Sequence, residues 1–353
     1  MIFRQLFDAV SSTYTYLLGC EETREAIIID PVFEQHARDT ALIRELSLNV
    51  RYVLDTHVHA DHVTAAWLAR RAYNAEIVLS KRYAIDGVDF PVDHGDVLAF
   101  GNCSLEVRAT PGHTLGCLTY VTNQHDMAFT GDCLMIRGAG RTDFQGGDVH
   151  TMWRSIQEQI FTLPDDCLVY PGHDYQGRTV STVGEERRFN PRIGGDAHEE
   201  DFAGYMNNLG LAHPKLLEIA VPANLQCGRP EDETLPEEIT WAPITVTFAG
   251  VPEIRPDWVA RHHQEIFVLD VRNSDEFIGE LGHIEGSHLI PLDQLRERLD
   301  EVPRDQPVVT VCQSGMRSAM AAQILLQAGY ERVANVPGGL INWSRLALPF
   351  REQ

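Results

Sequence analysis

The sequence predicts an α/β protein of two domains, and three observations carry that expectation. The chain has 353 residues, more than one core of typical size accommodates and comfortable for two. Short apolar runs alternate with helical patterns along both halves, the arrangement that builds sheets flanked by helices. A polar, acidic stretch bracketed by prolines, residues 229–238, separates two regions of different texture and suits an exposed linker. We place the domains at 1–232 and 244–353, with a linker at 233–243.

Composition narrows the function. A hydrophobic fraction of 44% and a charged fraction of 23% are those of an ordinary globular protein. The 29 Lys and Arg against 51 Asp and Glu give a net charge of −22, most of it before residue 243. Such a chain is repelled by phosphate backbones and anionic lipid, so no nucleic-acid and no membrane partner is expected. No run approaches the ~20 apolar residues of a membrane helix. The opening Met1-Ile2-Phe3-Arg4-Gln5 lacks the basic and apolar regions of a signal sequence, and the expected location is cytoplasmic. The 7 cysteines are odd in number, scattered and without a CxxC pair. They are expected to be small buried hydrophobes rather than disulfide partners. Only Cys312 has a sequence context that asks for more.

In chain order, Ala26–Ile29 reads as a buried strand. Arg51–Asp55 reads as another and delivers Thr56-His57-Val58-His59-Ala60-Asp61-His62. In an extended loop, residues two apart point to the same side, so His57 and His59 can converge. Asp61 and His62 complete an HxHxDH pattern. Three further candidates close later strand-like runs: His113 after Pro111-Gly112, Asp132 after Thr130-Gly131, and His173 after Pro171-Gly172. The glycine before each permits a sharp turn and close backbone approach. A single histidine is more often a surface or satisfied core residue than a ligand. Four donor-rich residues within six positions, backed by three glycine corners, point instead to a metal. Imidazole and carboxylate together suit zinc or iron.

In the second half, Ile266–Leu269 reads as a strand ending at Asp270. Val308–Val311 reads as a buried strand that delivers Cys312-Gln313-Ser314-Gly315-Met316-Arg317. A helix follows Arg317, because Ala321, Ile324, Leu325 and Ala328 form one apolar stripe, and Gly329 stops it. A thiol at a strand end before a helix faces unpaired N–H groups and the positive end of the helix dipole. Both favour the thiolate, which is the nucleophile. Gly315 lets the loop fold tightly, successive backbone N–H groups can cradle an anion, and Arg317 adds a fixed positive charge. The bland alternative is a buried cysteine at a strand end.

The order HxHxDH…GHT…GD…GH resembles the metallo-β-lactamase superfamily, which implies an αββα sandwich with the metal at one strand edge. Two enzyme groups of that superfamily compete. Glyoxalase II-like hydrolases use all these positions for two metals, whereas persulfide dioxygenases bind one iron through two histidines and an aspartate. Gly140-Arg141-Thr142-Asp143-Phe144-Gln145, the run 185–192 and Ala220-Val221-Pro222-Ala223-Asn224 are similar to persulfide dioxygenase segments. The resemblance covers roughly residues 1–228. It implies one Fe(II) per chain held by His57, His113 and Asp132, a 2-His-1-carboxylate set with open positions. His59, Asp61, His62 and His173 would orient the groups around it. Arg141 and Tyr175 would meet a glutathione carboxylate, with a structural ion pair as the other role for Arg141.

The loop CxSGxRS resembles that of rhodanese domains. So do Leu269-Asp270-Val271-Arg272 with Glu276-Phe277, Gly282–Ser287, and Gly338-Gly339-Leu340 before Trp343. The match spans about 244–350 and implies an α/β domain with a parallel sheet. Cys312 and Arg317 would be catalytic, and Gln313, Ser314, Gly315 and Met316 the substrate-binding loop. Phosphatases of the Cys…Arg class place five residues in this interval; the shorter loop here favours a cysteine persulfide.

Together these resemblances imply a bifunctional sulfur enzyme. Iron-dependent oxidation of glutathione persulfide by O2 to sulfite and glutathione would be coupled to sulfur transfer between thiosulfate and glutathione. The alternatives are a dizinc glyoxalase II-like thioester hydrolase with a sulfur-binding rhodanese module, and a C-terminal domain that only docks. A homo-oligomer is left open.

Overall fold

The computed structural model describes residues 1–212, 214–231, 233 and 241–350. Of the linker expected at 233–243, residues 234–240 lie outside the described residues. The chain divides into two compact units, Met1–His36 with Leu46–Leu235, and Ala37–Glu45 with Pro236–Gln353.

The first unit contains two six-stranded sheets. In the first, β1 (Ile2–Asp8), β2 (Thr13–Gly19), β3 (Glu25–Ile29), β4 (Asn49–Leu54), β5 (Glu76–Ser80) and β6 (Phe90–Val92) lie side by side in chain order. The β1–β2 and β2–β3 pairs are antiparallel, and those from β3 to β6 are parallel. The second sheet holds β7 (Val97–Phe100), β8 (Cys103–Ala109), β9 (Leu118–Thr122), β10 (Met127–Gly131), β11 (Leu168–Pro171) and β12 (Ser181–Thr182), again in sequential order. Its pairs are antiparallel except β10–β11.

The facing sides of the sheets share one core, where Tyr16, Leu18, Ile27 and Leu54 meet Phe100, Leu105, Tyr120 and Phe129. Such interdigitation from two inner faces is what packs a sandwich. Outside the second sheet, Val121, Ala128 and Val169 pack with Met152 and Phe202 of the helices Val149–Ser155 and Glu199–Met206. Helix Ala66–Tyr73 lies against β4 and β5 of the first. The result is the αββα sandwich expected. The strands expected at Ala26–Ile29 and Arg51–Asp55 are β3, one residue longer at its start, and β4, which begins two residues and ends one residue earlier.

The second unit is a six-stranded sheet in the order β13-β14-β18-β17-β15-β16. These strands are β13 (Ile244–Val246), β14 (Pro252–Ile254), β15 (Phe267–Asp270), β16 (His288–Leu289), β17 (Val308–Val311) and β18 (Val333–Asn335). All neighbours are parallel except β13 and β14. The expected parallel sheet therefore carries one antiparallel edge strand. The Thr247–Gly250 turn causes it, with Thr247 N–H to Val251 O at 2.9 Å; so short a connection can only reverse the chain. Central β17 is buried at all four positions, which explains its unbroken apolar run. Its C-terminal end delivers Cys312 to helix Met316–Gln327, which starts two residues earlier than expected. Gly329 ends that helix region at φ 83°, a conformation glycine adopts without a Cβ clash.

Candidate metal centre and cysteine loop

The donor residues of the first unit sit just past the C-terminal ends of β4, β8, β10 and β11, which place His57, His113, Asp132 and His173 respectively. His57, His113 and Asp132 are buried and offer ligand atoms within 4.8 Å of one another. Their hydrogen bonds assign the ring tautomers. Thr56 donates its backbone N–H to Asp30 Oδ1 at 2.6 Å and its hydroxyl to Asp30 Oδ2 at 2.9 Å. Its oxygen therefore accepts from His57 Nδ1, 2.9 Å away, leaving the Nε2 lone pair unprotonated. His113 Nδ1 donates to the Arg141 carbonyl at 2.6 Å, and its Nε2 stands 3.7 Å from Asp132 Oδ2. Orientation of a ligating histidine through its other nitrogen is the usual device of metal sites.

Electrostatics agrees with a ligand role. Burial, with neighbouring His59 and His113, pushes His57 well below the usual histidine range, so it stays neutral. Burial likewise lowers His113, although Asp132 opposes it. Burial would raise Asp132, but the charge and hydrogen bond of His173, with His113 and His57 nearby, hold it below the usual carboxylate range. His173 lies between two carboxylates, with Nδ1 2.6 Å from Asp132 Oδ1 and Nε2 2.8 Å from Asp61 Oδ2. These offset its burial and raise it well above the usual range. Asp132 thus keeps one oxygen for the His57–His113 side. Two neutral imidazoles and one carboxylate oxygen fit a divalent ion.

His59, Asp61 and His62 form a neighbouring group within 4.8 Å. His57 and His59 have ring centroids 4.1 Å apart, yet His59 turns Nε2 to Asp30 at 3.1 Å. The expected convergence of this pair is therefore of rings, while their ligating atoms fall in different groups. His59 Nδ1 and His62 Nε2 are buried without a hydrogen-bond partner.

Segments singled out in the sequence brace this site. Asn224 donates to the carbonyls of His59 and His62, each at 2.9 Å, and accepts from Thr64 N–H at 2.9 Å. It thereby ties both ends of the histidine loop. From the 185–192 run, Glu186 accepts from Arg137 N–H at 2.8 Å, Asn190 donates to Gly138 O at 3.0 Å, and Arg192 bonds the Ala139 carbonyl. These contacts fix the loop after Asp132, which walls a cleft of about 450 Å³ with His57, His113, Phe144 and Tyr175.

Arg141 lines that cleft, but its guanidinium is engaged by Asp143 at 2.6 and 2.7 Å and by the carbonyls of Ala212 and Leu211. The structural ion pair foreseen as its other role is what the geometry contains. Tyr175 is 71% exposed and stacks on His173, with ring planes 8° apart. Asp30 and Thr56 were missed from the sequence. A signal existed in Asp30, an acid that ends a buried strand as Asp55 and Asp270 do.

In the second unit Cys312 is buried. Its Sγ accepts from Gly315 N–H at 3.2 Å and from the Ser318 hydroxyl at 3.4 Å, a small cradle of donors at a helix start. Gly315, at φ 90°, permits the turn. A Cβ there would lie 2.7 Å from Gly338 N. Gly339 backs the loop, and Leu340 N–H bonds Cys312 O at 2.8 Å. Gln313, Ser314 and Met316 are exposed around the cysteine, Met316 at 77%. Arg317 does not stand alone as a positive charge: it makes a two-point pair with Glu276 at 2.7 and 2.6 Å. Those bonds, first among its causes, hold Glu276 down to about 2. Ser318 and Asn335 are bonded at 2.6 Å; Ser318 closes the quoted CxSGxRS loop without having been given a role, and Asn335 carries no motif signal. Asp270 and Arg272 form a buried pair at 2.7 Å. Arg272 reaches Glu276 O and Gly282 O, so the 269–272 and 282–287 segments knit the domain, while Glu276 and the 338–340 segment brace the cysteine loop.

Comparisons with known proteins identify both domains. Residues 9–173 match the metallo-beta-lactamase superfamily and residues 255–346 the rhodanese-like domain. Persulfide dioxygenase ETHE1, mitochondrial, of Homo sapiens is 51% identical over 228 residues, covering 65% of this chain and 89% of that protein. The crystal structure of ETHE1 from Myxococcus xanthus superposes with a TM-score of 0.63 at 50% identity, covering 65% of this chain and 100% of that one. A metallo-beta-lactamase from Staphylococcus aureus subsp. aureus COL has a TM-score of 0.60 at 25% identity, over 96% of this chain and 98% of its own. Among the described residues no helix is long and apolar enough to cross a membrane. With its ligand geometry and its two matched domains, the chain belongs to the metallo-β-lactamase superfamily, within it to the family of the persulfide dioxygenases, and it carries a rhodanese-like domain after the sandwich.

Proposed function

We propose that the first unit oxidises glutathione persulfide with O2 to sulfite and glutathione, and that the second moves sulfane sulfur between thiosulfate and glutathione. The observation that carries the first half is the convergence of His57, His113 and Asp132 on one wall of the cleft. A bound Fe(II) would supply coordination positions open to O2 and to a persulfide sulfur. The protein's own part is orientation. Thr56 and the Arg141 carbonyl fix two imidazoles, while His173 holds Asp132 from behind. Arg141, through Asp143 and the 211–212 carbonyls, positions that wall. Tyr175, on the rim, is the proposed contact for the thiol carrier. We keep 1–232 and 244–353 as the domain limits.

In the second unit the Cys312 thiolate attacks the outer sulfur of thiosulfate. The S–S bond breaks, sulfite leaves with the electron pair, and Cys312 retains a persulfide. Glutathione thiolate then takes the outer sulfur, which gives glutathione persulfide and restores the Cys312 thiolate. Gly315 N–H and the Ser318 hydroxyl hold the sulfur through both steps. Summed with the oxidation, thiosulfate, O2 and water give two sulfites and two protons, and glutathione is only a carrier.

A dizinc thioester hydrolase is the second reading, favoured by the unpartnered ring nitrogens of His59 and His62 beside Asp61. Metal analysis of anaerobically purified protein, followed by an O2 electrode assay with glutathione persulfide, separates the two. The first reading expects iron and O2 uptake; zinc-loaded, iron-free protein that hydrolyses a glutathione thioester expresses the second.

A further inference from the structure

We propose that Tyr83 is a positioning residue of the metal centre, whose hydroxyl joins the loop that carries His57 to the loop that carries His113. The inference rests on those two histidines holding a divalent ion with Asp132. It stands whichever of the two reactions above that ion serves.

The topology brings Tyr83 to the site. β4 and β5 are parallel neighbours, with Leu54 opposite Val78, so the residues that follow both strands emerge at one sheet edge. After β4 comes the His57 loop. After β5 comes the single turn Lys81–Tyr83, started by Ser80, whose hydroxyl accepts from Arg82 N–H at 3.3 Å. The Tyr83 phenol then lies between the two ligand loops. Val58 N–H donates to its oxygen at 3.2 Å, and Thr114 Oγ1 stands 2.5 Å from it. Val58 and Thr114 are the residues directly after His57 and His113.

One direction of bonding uses every proton. Tyr83 O accepts from Val58, so its own proton goes to Thr114. The Thr114 hydroxyl in turn faces Cys117 Sγ at 3.0 Å, and that sulfur also accepts Thr114 N–H at 3.3 Å. The chain of bonds thus ends inside the turn that follows His113. Space for the ring is kept as well. Gly116 has no positive φ that calls for a glycine, yet a Cβ there would collide with the ring and lie 2.6 Å from Tyr83 Cζ. On the other flank of His57, the Thr56 carbonyl accepts from Leu118 N–H at 2.8 Å. His57 is therefore tied to the 113–118 segment on both sides, by backbone before it and by Tyr83 after it. Such a link sets how far apart two ligands stand, which a metal site needs as much as the right tautomers.

The test is a titration of the metal-free full chain with Co(II), whose visible bands report ligand geometry. Tyr83→Phe keeps the ring beside Gly116 and removes only the oxygen. It should bind Co(II) about 10- to 100-fold more weakly than wild type, with shifted bands. Thr114→Val should do the same, and the double variant should be no worse than either single one, because both break one link. Thr114→Ser, which keeps the hydroxyl, should behave as wild type. His57→Ala identifies the bands that belong to this centre. A purely structural role would lower the melting temperature of the metal-free chain and leave affinity and bands unchanged. That result in either Tyr83→Phe or Thr114→Val overturns the inference, as do additive losses in the double variant. A wild-type chain that takes up no Co(II) would overturn the metal centre itself, and the link with it.

Discussion

At the scale of single residues, function depends on what each reactive group is bonded to. His57 and His113 present Nε2 because Nδ1 of each is occupied by Thr56 and by the Arg141 carbonyl. His57→Ala should therefore remove the metal and the O2 uptake while leaving sulfur transfer by Cys312 intact. Metal content and the two assays on one preparation check this. Arg317 gives a different lesson. Its pair with Glu276 offsets much of its charge, so its role is local recognition rather than a broad field. Arg317→Ala should raise KM for thiosulfate by about tenfold or more, the worth of a charge-assisted hydrogen bond of ~1.5–3 kcal/mol. The reactive residues were legible because motif chemistry names them. The bonds made by partners such as Asp30, Glu276 and Asn335 were not, since a bond between residues distant in the chain leaves no local pattern. Arg141 shows how a local partner competes with a ligand. Its sequence context suits carboxylate recognition, but a carboxylate two residues away reaches it first.

At the scale of elements, strands and the helix after Cys312 were legible because burial enforces apolar periodicity. β17 was read at its observed limits, since a central strand tolerates no polar face. The antiparallel edge of the second sheet was not, because β13 has only three residues and half-exposed ends. The Asn224 segment was recognisable by resemblance alone; its three hydrogen bonds to the 59–64 loop supply the physical reason. Asn224→Ala should cost about 1–3 kcal/mol, the penalty for leaving buried backbone groups unpaired, and should loosen metal retention. Urea unfolding and metal release measured together test both. Gly315→Ala should lose sulfur transfer, because the loop turns at φ 90° and the added Cβ meets Gly338 N at 2.7 Å. The left-handed backbone alone costs about 1–2 kcal/mol. A variant that keeps wild-type transfer would show that the turn is not needed to hold the Cys312 sulfur.

At the scale of the whole molecule, the two sites handle the same form of sulfur, and the central claim is that one makes what the other oxidises. The acidic net charge of −22 offers anionic thiosulfate no general attraction, so specificity must reside in the loops described. Cys312→Ser should abolish O2 uptake driven by thiosulfate and glutathione yet preserve uptake from supplied glutathione persulfide. Mixing it with His57→Ala should restore the thiosulfate-driven reaction if the persulfide diffuses freely, and restore it poorly if linkage raises the local concentration. Sulfur transfer is reversible, so added sulfite should slow the coupled reaction by drawing persulfide back to thiosulfate. The most direct measurement is the O2 trace of intact, iron-replete enzyme given thiosulfate and glutathione. O2 uptake with two sulfites formed per thiosulfate is the predicted result; no uptake, although each unit is active in its own assay, would contradict it.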